Sequence, residues 1–367
     1  MLPLFLALLS EIPPQTANDI ARSDAPHAFH SLHLEMPYTP SIARIDGDDR
    51  LVYELHVTNF SARPLKLSRI EIRTEADGTS IAELDPAAAM RRLGPTEGAP
   101  GLLAPGQRGI FYLSFRWPRP APASLVHRIA LVSLAAHDTG RRVMIEGGQF
   151  TPYRAFTAAL GAPLRGGPWT AVWLPDIDNG HRRFLYAVRG SVRVPGRHAI
   201  DWMPAHGFVP ATAGTATSPD GSGADVLAVA DAEIVAVKDG RVDPARPDVE
   251  DETGAMIVLK LPDGRHAFYQ HLAPDVAATP GTRVRKGQVI GRVGATGHVT
   301  RPHLHFHVAD GIAPLDSEGL PYRFAAGHIV GRYAAPTDFD NGSAWEISPS
   351  RAIDGMPAAF SVIRFDE

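Results

Sequence analysis

Apolar and polar positions alternate along most of this chain, in runs short enough for single strands. The run Leu51-Val52-Tyr53-Glu54-Leu55-His56-Val57-Thr58-Asn59-Phe60 alternates through its middle and breaks at Ser61-Ala62-Arg63-Pro64. Residues 65–73 alternate again, and residues 109–115 and 129–134 read as further strands. Residues 86–93 suit one short helix. Several strands parted by turn signals predict an immunoglobulin-like β-sandwich over residues 27–150. No catalytic residue types cluster there, so the sandwich reads as a structural or positioning domain.

Residues 151–168 carry three glycines and three prolines and read as a linker. Residues 169–173 then form a strand, and two apolar runs flank Arg189-Gly190-Ser191. From Asp225 onward the chain is a series of short β runs, including a hairpin through Pro262-Asp263-Gly264. Residues 225–237 and 283–293 are faintly alike, each with a Val, a turn and a second Val run. That likeness points weakly to an internally duplicated β-structure. The expected organisation is a leader and linker at 1–26, a sandwich at 27–150, a linker at 151–168, a second β domain at 169–330 and a tail at 331–367. Within the tail, residues 360–365 suit an edge strand.

The densest chemistry is in Arg301-Pro302-His303-Leu304-His305-Phe306-His307-Val308. Side chains two apart share one face of a strand. His303, His305 and His307 therefore line one side, while Leu304, Phe306 and Val308 pack the other. Three imidazoles are costly to bury unless something binds them, and neutral imidazole is the commonest protein ligand for zinc.

Composition narrows the picture. The chain has 367 residues, 44% hydrophobic and 21% charged, as in a soluble globular protein long enough for two domains. A net charge of −4 and the lack of a dense Lys/Arg block give no footprint for nucleic acid or anionic lipid. No cysteine is present, which excludes disulfides, Cys-ligated zinc and thiol catalysis. Histidine is plentiful, at 16. Residues 1–10 are an apolar run too short to span a bilayer as a helix. The run fits the apolar part of a signal peptide, although no Lys or Arg precedes it and no Ala-x-Ala cleavage site follows. An exported protein, periplasmic or extracellular, is the expectation.

Four spaced elements then carry a family resemblance. Gly294-Ala295-Thr296-Gly297 followed by Arg301-Pro302-His303-Leu304-His305-Phe306 resembles the signature of the lysostaphin-type (LytM-like) zinc metallopeptidases, which are mostly peptidoglycan endopeptidases. Tyr269-Gln270-His271-Leu272 resembles their Tyr-x-His-Leu element, Val284-Arg285-Lys286-Gly287-Gln288 their Val-x-x-Gly-Gln turn, and residues 226–237 the preceding strand pair. The resemblance covers residues 169–322, less than half of the chain. It implies a mostly β architecture whose second domain is an antiparallel-β groove built from a duplicated hybrid motif.

The resemblance also implies roles. His305 matches the zinc-binding histidine, and His303 and His271 match a catalytic pair beside the metal. Asp201 matches the aspartate of a His-x-x-x-Asp motif, but Arg197 stands where the first histidine belongs. His181 and His198 are the alternatives, or the first ligand is absent. His198, three residues from Asp201, would face the opposite side of a strand. A hairpin centred on Ser191 would set His181 directly across from Asp201, with Cβ atoms roughly 5 Å apart. A subgroup with His-Arg followed later by Arg-x-Ala-x-Asp is matched by His181-Arg182 and Arg197-x-Ala199-x-Asp201. The preferred set is therefore His181, Asp201 and His305 around one Zn2+ per chain. His307 is expected to contact that set without binding metal. His206, His266 and His298 carry no assignment.

The implied activity is zinc-dependent hydrolysis of peptide bonds in peptidoglycan cross-links or bridges. The alternative is a non-catalytic LytM-like module that binds peptidoglycan or activates another hydrolase, as the arginine at 197 suggests. A third reading, a biotinyl- or lipoyl-type carrier, draws on residues 284–293 but lacks a Met-Lys-Met attachment site. The expected partner is a peptidoglycan peptide, with no nucleic acid and no transmembrane segment.

Overall fold

The structure is a computed structural model that describes residues 32–84, 93–94, 101–134, 142–154, 159–173, 180–207, 218–240, 253–274 and 277–365. The apolar run at 1–10 and the helix expected at 86–93 lie outside those residues, apart from Leu93. The described residues are almost entirely β, as the alternation predicts.

Two five-stranded antiparallel sheets form the first part. One holds Leu32–Glu35, Ser41–Ile45, Asp48–Asn59, Arg108–Arg116 and Leu93–Gly94. The other holds Leu65–Thr74, Ser80–Leu84, Leu102–Leu103, Leu125–Ser133 and Arg142–Phe150. Leu51, Tyr53, Leu55 and Val57 pack against Ile70, Ile72, Ile129 and Leu131 in a single core between the sheets. A buried histidine is built into this core. His127 Nδ1–H donates to the Gly148 carbonyl at 3.0 Å, and its Nε2 accepts from the Tyr53 hydroxyl at 2.7 Å. Both nitrogens are satisfied in the neutral ring, and burial lowers the pKa to about 4.

A strand patterned like Asp48–Asn59 should leave its polar face to water. Here Val52, Glu54 and His56 are buried as well. Val52 joins Ala43 and Ile45 in the core cluster of the second part, so the two parts share apolar packing.

The second part is built on an eleven-stranded antiparallel sheet. Its centre runs Ala232–Lys238, Ala255–Lys260, His266–Leu272, Leu304–Ala309, Ile200–Pro204 and Trp169–Val172. The two faintly similar segments pair with each other: Asp225 opposes Arg292, and Ala232 opposes Val284. The last strand, Ser361–Arg364, differs from expectation. It is paired on both sides, with Trp169–Val172 and with His328–Arg332, so it is an interior strand and not an edge. Its Val362 and Ile363 are fully buried, which is why a short apolar run at the end of the chain is drawn inside the sheet.

Candidate metal centre

The histidine strand, Leu304–Ala309, lies between Ile200–Pro204 and His266–Leu272. Leu304, Phe306 and Val308 are fully buried in the core, and His303, His305 and His307 line the other face. Cross-strand pairing does the rest. Asp201 directly opposes His305 on one side, and Gln270 opposes it on the other. Opposed residues hold their Cβ atoms about 5 Å apart, which brings two ligand-type groups together without any loop.

His181 reaches the same point by a different route from the one expected. The hairpin is present, but Val188 pairs with Ser191 and Tyr186 with Arg193, so its centre is between Arg189 and Gly190. Both of those residues have positive φ, 51° and 79°, as a two-residue primed turn requires. The paired arms are only three residues long. Beyond them the chain coils into two 3-10 turns, His181–Arg183 and Pro195–His198, which pack on each other. A Cβ placed on Gly196 would sit 2.7 Å from His181 Cβ, so only glycine admits this contact. His181 Nε2 then lies 2.8 Å from Asp201 Oδ2. The structure brings His181 beside Asp201, while the register expected to deliver it is not the one observed.

Ligand-type atoms of His181, Asp201 and His305 all fall within 4.8 Å of one another. His305 Nδ1 is 3.0 Å from Asp201 Oδ1, and the His181 and His305 rings meet edge-on at 4.5 Å. Among the described residues no other such group is present. His198 is outside it: the ring is fully buried in the second turn, and neither nitrogen meets a hydrogen-bond partner among the described residues. Arg197 is also outside, turned to Glu54 and Glu318.

His271 and His303 flank the cluster with rings 4.8 Å apart. His303 Nε2 is 3.6 Å from Asp201 Oδ1. Strand alternation alone would put His271 on the core face with Tyr269, because Gln270 and Phe268 share the face of His305 and His307. The strand breaks that rule at His271, which has φ +60° beside a register shift against Ala255–Lys260. An extra residue in a strand re-aims a side chain, and left-handed backbone at a non-glycine is strain of the kind found at functional sites. Thr296 secures the bulge. Its Oγ1 accepts the Ala255 N–H and donates to the Leu272 carbonyl, both at 2.7 Å, and its carbonyl accepts His271 Nδ1–H at 2.9 Å. His303 Nδ1–H donates likewise to the Arg301 carbonyl at 2.9 Å. Both rings are therefore held with Nδ1 protonated and Nε2 free to accept a proton. Sequence reasoning gave Thr296 no role; its place in the Gly-Ala-Thr-Gly run was the only signal.

The electrostatics suit a cation. Burial alone would raise the Asp201 carboxyl, but His181 and the hydrogen bond from His305 hold it well below the usual range. Burial pushes His305 down to about 4, His271 to about 3 and His307 well below the usual imidazole value. For His181 burial acts in the same direction, but the Asp201 carboxylate outweighs it and raises the ring. An ionised carboxylate beside a neutral His305 is the protonation state that metal binding needs, and a proton held on His181 by Asp201 would have to leave as the metal enters. His307 Nδ1 is 3.0 Å from His305 Nε2, and its ring stacks on Phe268 at 4.5 Å. It contacts a ligand-type residue without joining the group. The cluster opens into a groove of about 280 Å³ bordered by Phe184, Tyr186, Thr253, Gln270, Pro314 and Leu315.

Residues 220–317 match the model of Peptidase family M23. That span holds His271, His303 and His305, whereas His181 and Asp201 precede it. Among solved structures, the chain is similar to the catalytic domain of the antimicrobial peptidase lysostaphin from Staphylococcus simulans, at 19% identity over 42% of this chain and 88% of that chain, with a TM-score of 0.25. It is similar to a zinc containing peptidase from Vibrio cholerae, at 18% identity over 76% of this chain and 82% of that chain, with a TM-score of 0.26. It is also similar to a catalytic domain of the prophage-encoded M23 protein EnpA from Enterococcus faecalis, at 20% identity over 45% and 93%, with a TM-score of 0.27.

Proposed function

We propose that this chain, which carries a Peptidase family M23 domain, is an exported zinc endopeptidase that cleaves peptide bonds in peptidoglycan cross-links or bridges. The observation that carries the reading is the convergence of His181, Asp201 and His305 within 4.8 Å, with the His271–His303 pair beside them. Two imidazoles and one carboxylate are a zinc donor set that leaves a fourth position open. The donor set fits. His305 presents Nδ1 to Asp201, and its Nε2 meets His307, which orients the ring from behind as outer partners of metal-bound histidines do. Zinc bound there supplies Lewis-acid polarisation of the scissile carbonyl and a water acidic enough to ionise near neutral pH.

The protein's own groups do the remaining work. His271 and His303 each keep Nδ1–H on a backbone carbonyl, so each has Nε2 left as a proton acceptor beside the cluster. One takes the proton from the attacking water and passes it to the leaving amine. The other, once it carries a proton on Nε2, donates that hydrogen to the oxyanion that develops at the carbonyl oxygen. The groove presents an extended peptide to the cluster, with Phe184 and Leu315 as its exposed apolar lip.

The test is digestion of purified peptidoglycan, followed by release of free amines. Wild type should cleave, and His305→Ala and His303→Ala should each lose at least about a hundredfold in rate. Cleavage by His305→Ala at the wild-type rate would sink the reading. Wall binding without cleavage by wild type would favour the non-catalytic alternative.

A further inference from the structure

The buried polar face of Asp48–Asn59 has a partner. Glu54, 5% exposed, is shared by two arginines of the second part, Arg182 at 3% and Arg197 at 7%. Arg182 Nε donates to Glu54 Oε1, and Arg197 Nε donates to Glu54 Oε2 at 2.7 Å. Burial alone would raise the Glu54 carboxyl, yet the two guanidiniums bring it down to about 2, so it is ionised. Arg182 also donates to the carbonyls of Tyr53 and Leu113. Arg183 lies over the Tyr112 ring at 3.9 Å. Arg197 continues to the Gly319 carbonyl at 3.2 Å and to Glu318 at 2.8 Å.

These two arginines sit on the two turns that build the cluster. A 3-10 turn has three residues per turn, so consecutive side chains diverge by about 120°. In His181–Arg183, the first side chain goes to Asp201 and the next two to the sandwich. The second turn carries Arg197 and runs directly into the strand that bears Asp201. So short a turn has little stability of its own, and its first side chain is only as well placed as its other anchors. The anchors of both turns converge on one carboxylate in the first part.

We infer that Glu54 is a positioning residue for the metal centre: by clamping Arg182 and Arg197 it sets His181 and Asp201, so the N-terminal sandwich completes the site. This rests on the zinc reading proposed above. Arg197 then stands at its position as the second arm of the clamp.

The test is zinc affinity, measured by competition with a chelating dye on the full chain. Glu54→Gln keeps the shape and removes the charge. It should weaken zinc binding by about tenfold or more, as loss of outer partners does. Val57→Ala trims the same sandwich core without touching the arginines; it should lower the melting temperature and leave affinity within about twofold. If Glu54→Gln does not fold, Arg182→Met, which leaves Glu54 neutralised by Arg197, should show the same loss. Unchanged affinity in the folded clamp variants, or an equal loss in Val57→Ala, overturns the inference. A wild type that takes up no zinc overturns the proposed function, and this inference with it.

Discussion

His305 is placed by an ordinary strand, and His181 by a close packing that one methyl group would break. The difference has a measurable consequence. Gly196→Ala would set a Cβ 2.7 Å from His181 Cβ and 2.9 Å from its carbonyl oxygen. Neither neighbour is the end of a flexible side chain, so the turn must move. Zinc affinity should fall by about tenfold while the fold persists, and the same dye competition reads it. An unchanged dissociation constant would mean the two turns are not what sets His181. At this scale the strand histidines were legible, because alternation assigns faces directly. His271 was legible only through the family motif, since φ +60° reverses the face that alternation gives it.

Among the elements, the strands came through in the sequence and the turns did not. Residues 51–57 and 304–308 alternate as strands with two chemically distinct faces do. The 3-10 turns at His181–Arg183 and Pro195–His198 have no period to detect, so the run between them looked like one long hairpin. Ser361–Arg364 read as an edge because nothing local reveals a second neighbour. The buried histidines of these elements set an acid limit on stability. The unfolded chain protonates such rings near pH 6.5, whereas the folded chain holds His56 and His127 at about 4. Between those values unfolding takes up protons, so stability falls as the pH is lowered from about 6.5 towards 4. A ring as buried as His127 contributes on the order of 3 kcal/mol to that loss. Urea unfolding midpoints across this range should drop with pH, and a flat profile would contradict the assignment of neutral buried rings.

On the scale of the whole molecule, the cluster is drawn from three distant segments, at 181, 201 and 305, and is buttressed by a fourth at Glu54. Sequence reasoning reached His305 and Asp201 through the family resemblance, and His181 through a hairpin pairing and a subgroup match. It gave the sandwich no more than a positioning role, since Glu54 looks like any polar residue on an alternating strand until its burial is known. The departure at Arg197, which argued for an inactive relative, is accounted for by that same contact. The most direct measurement is the zinc content of three purified proteins. Wild type should carry about one zinc per chain, His181→Ala should lose it, and His198→Leu should keep it, since an apolar side chain costs little in place of a buried ring with no hydrogen-bond partner among the described residues. Zinc retained by His181→Ala, or lost only in His198→Leu, would contradict the metal centre described here.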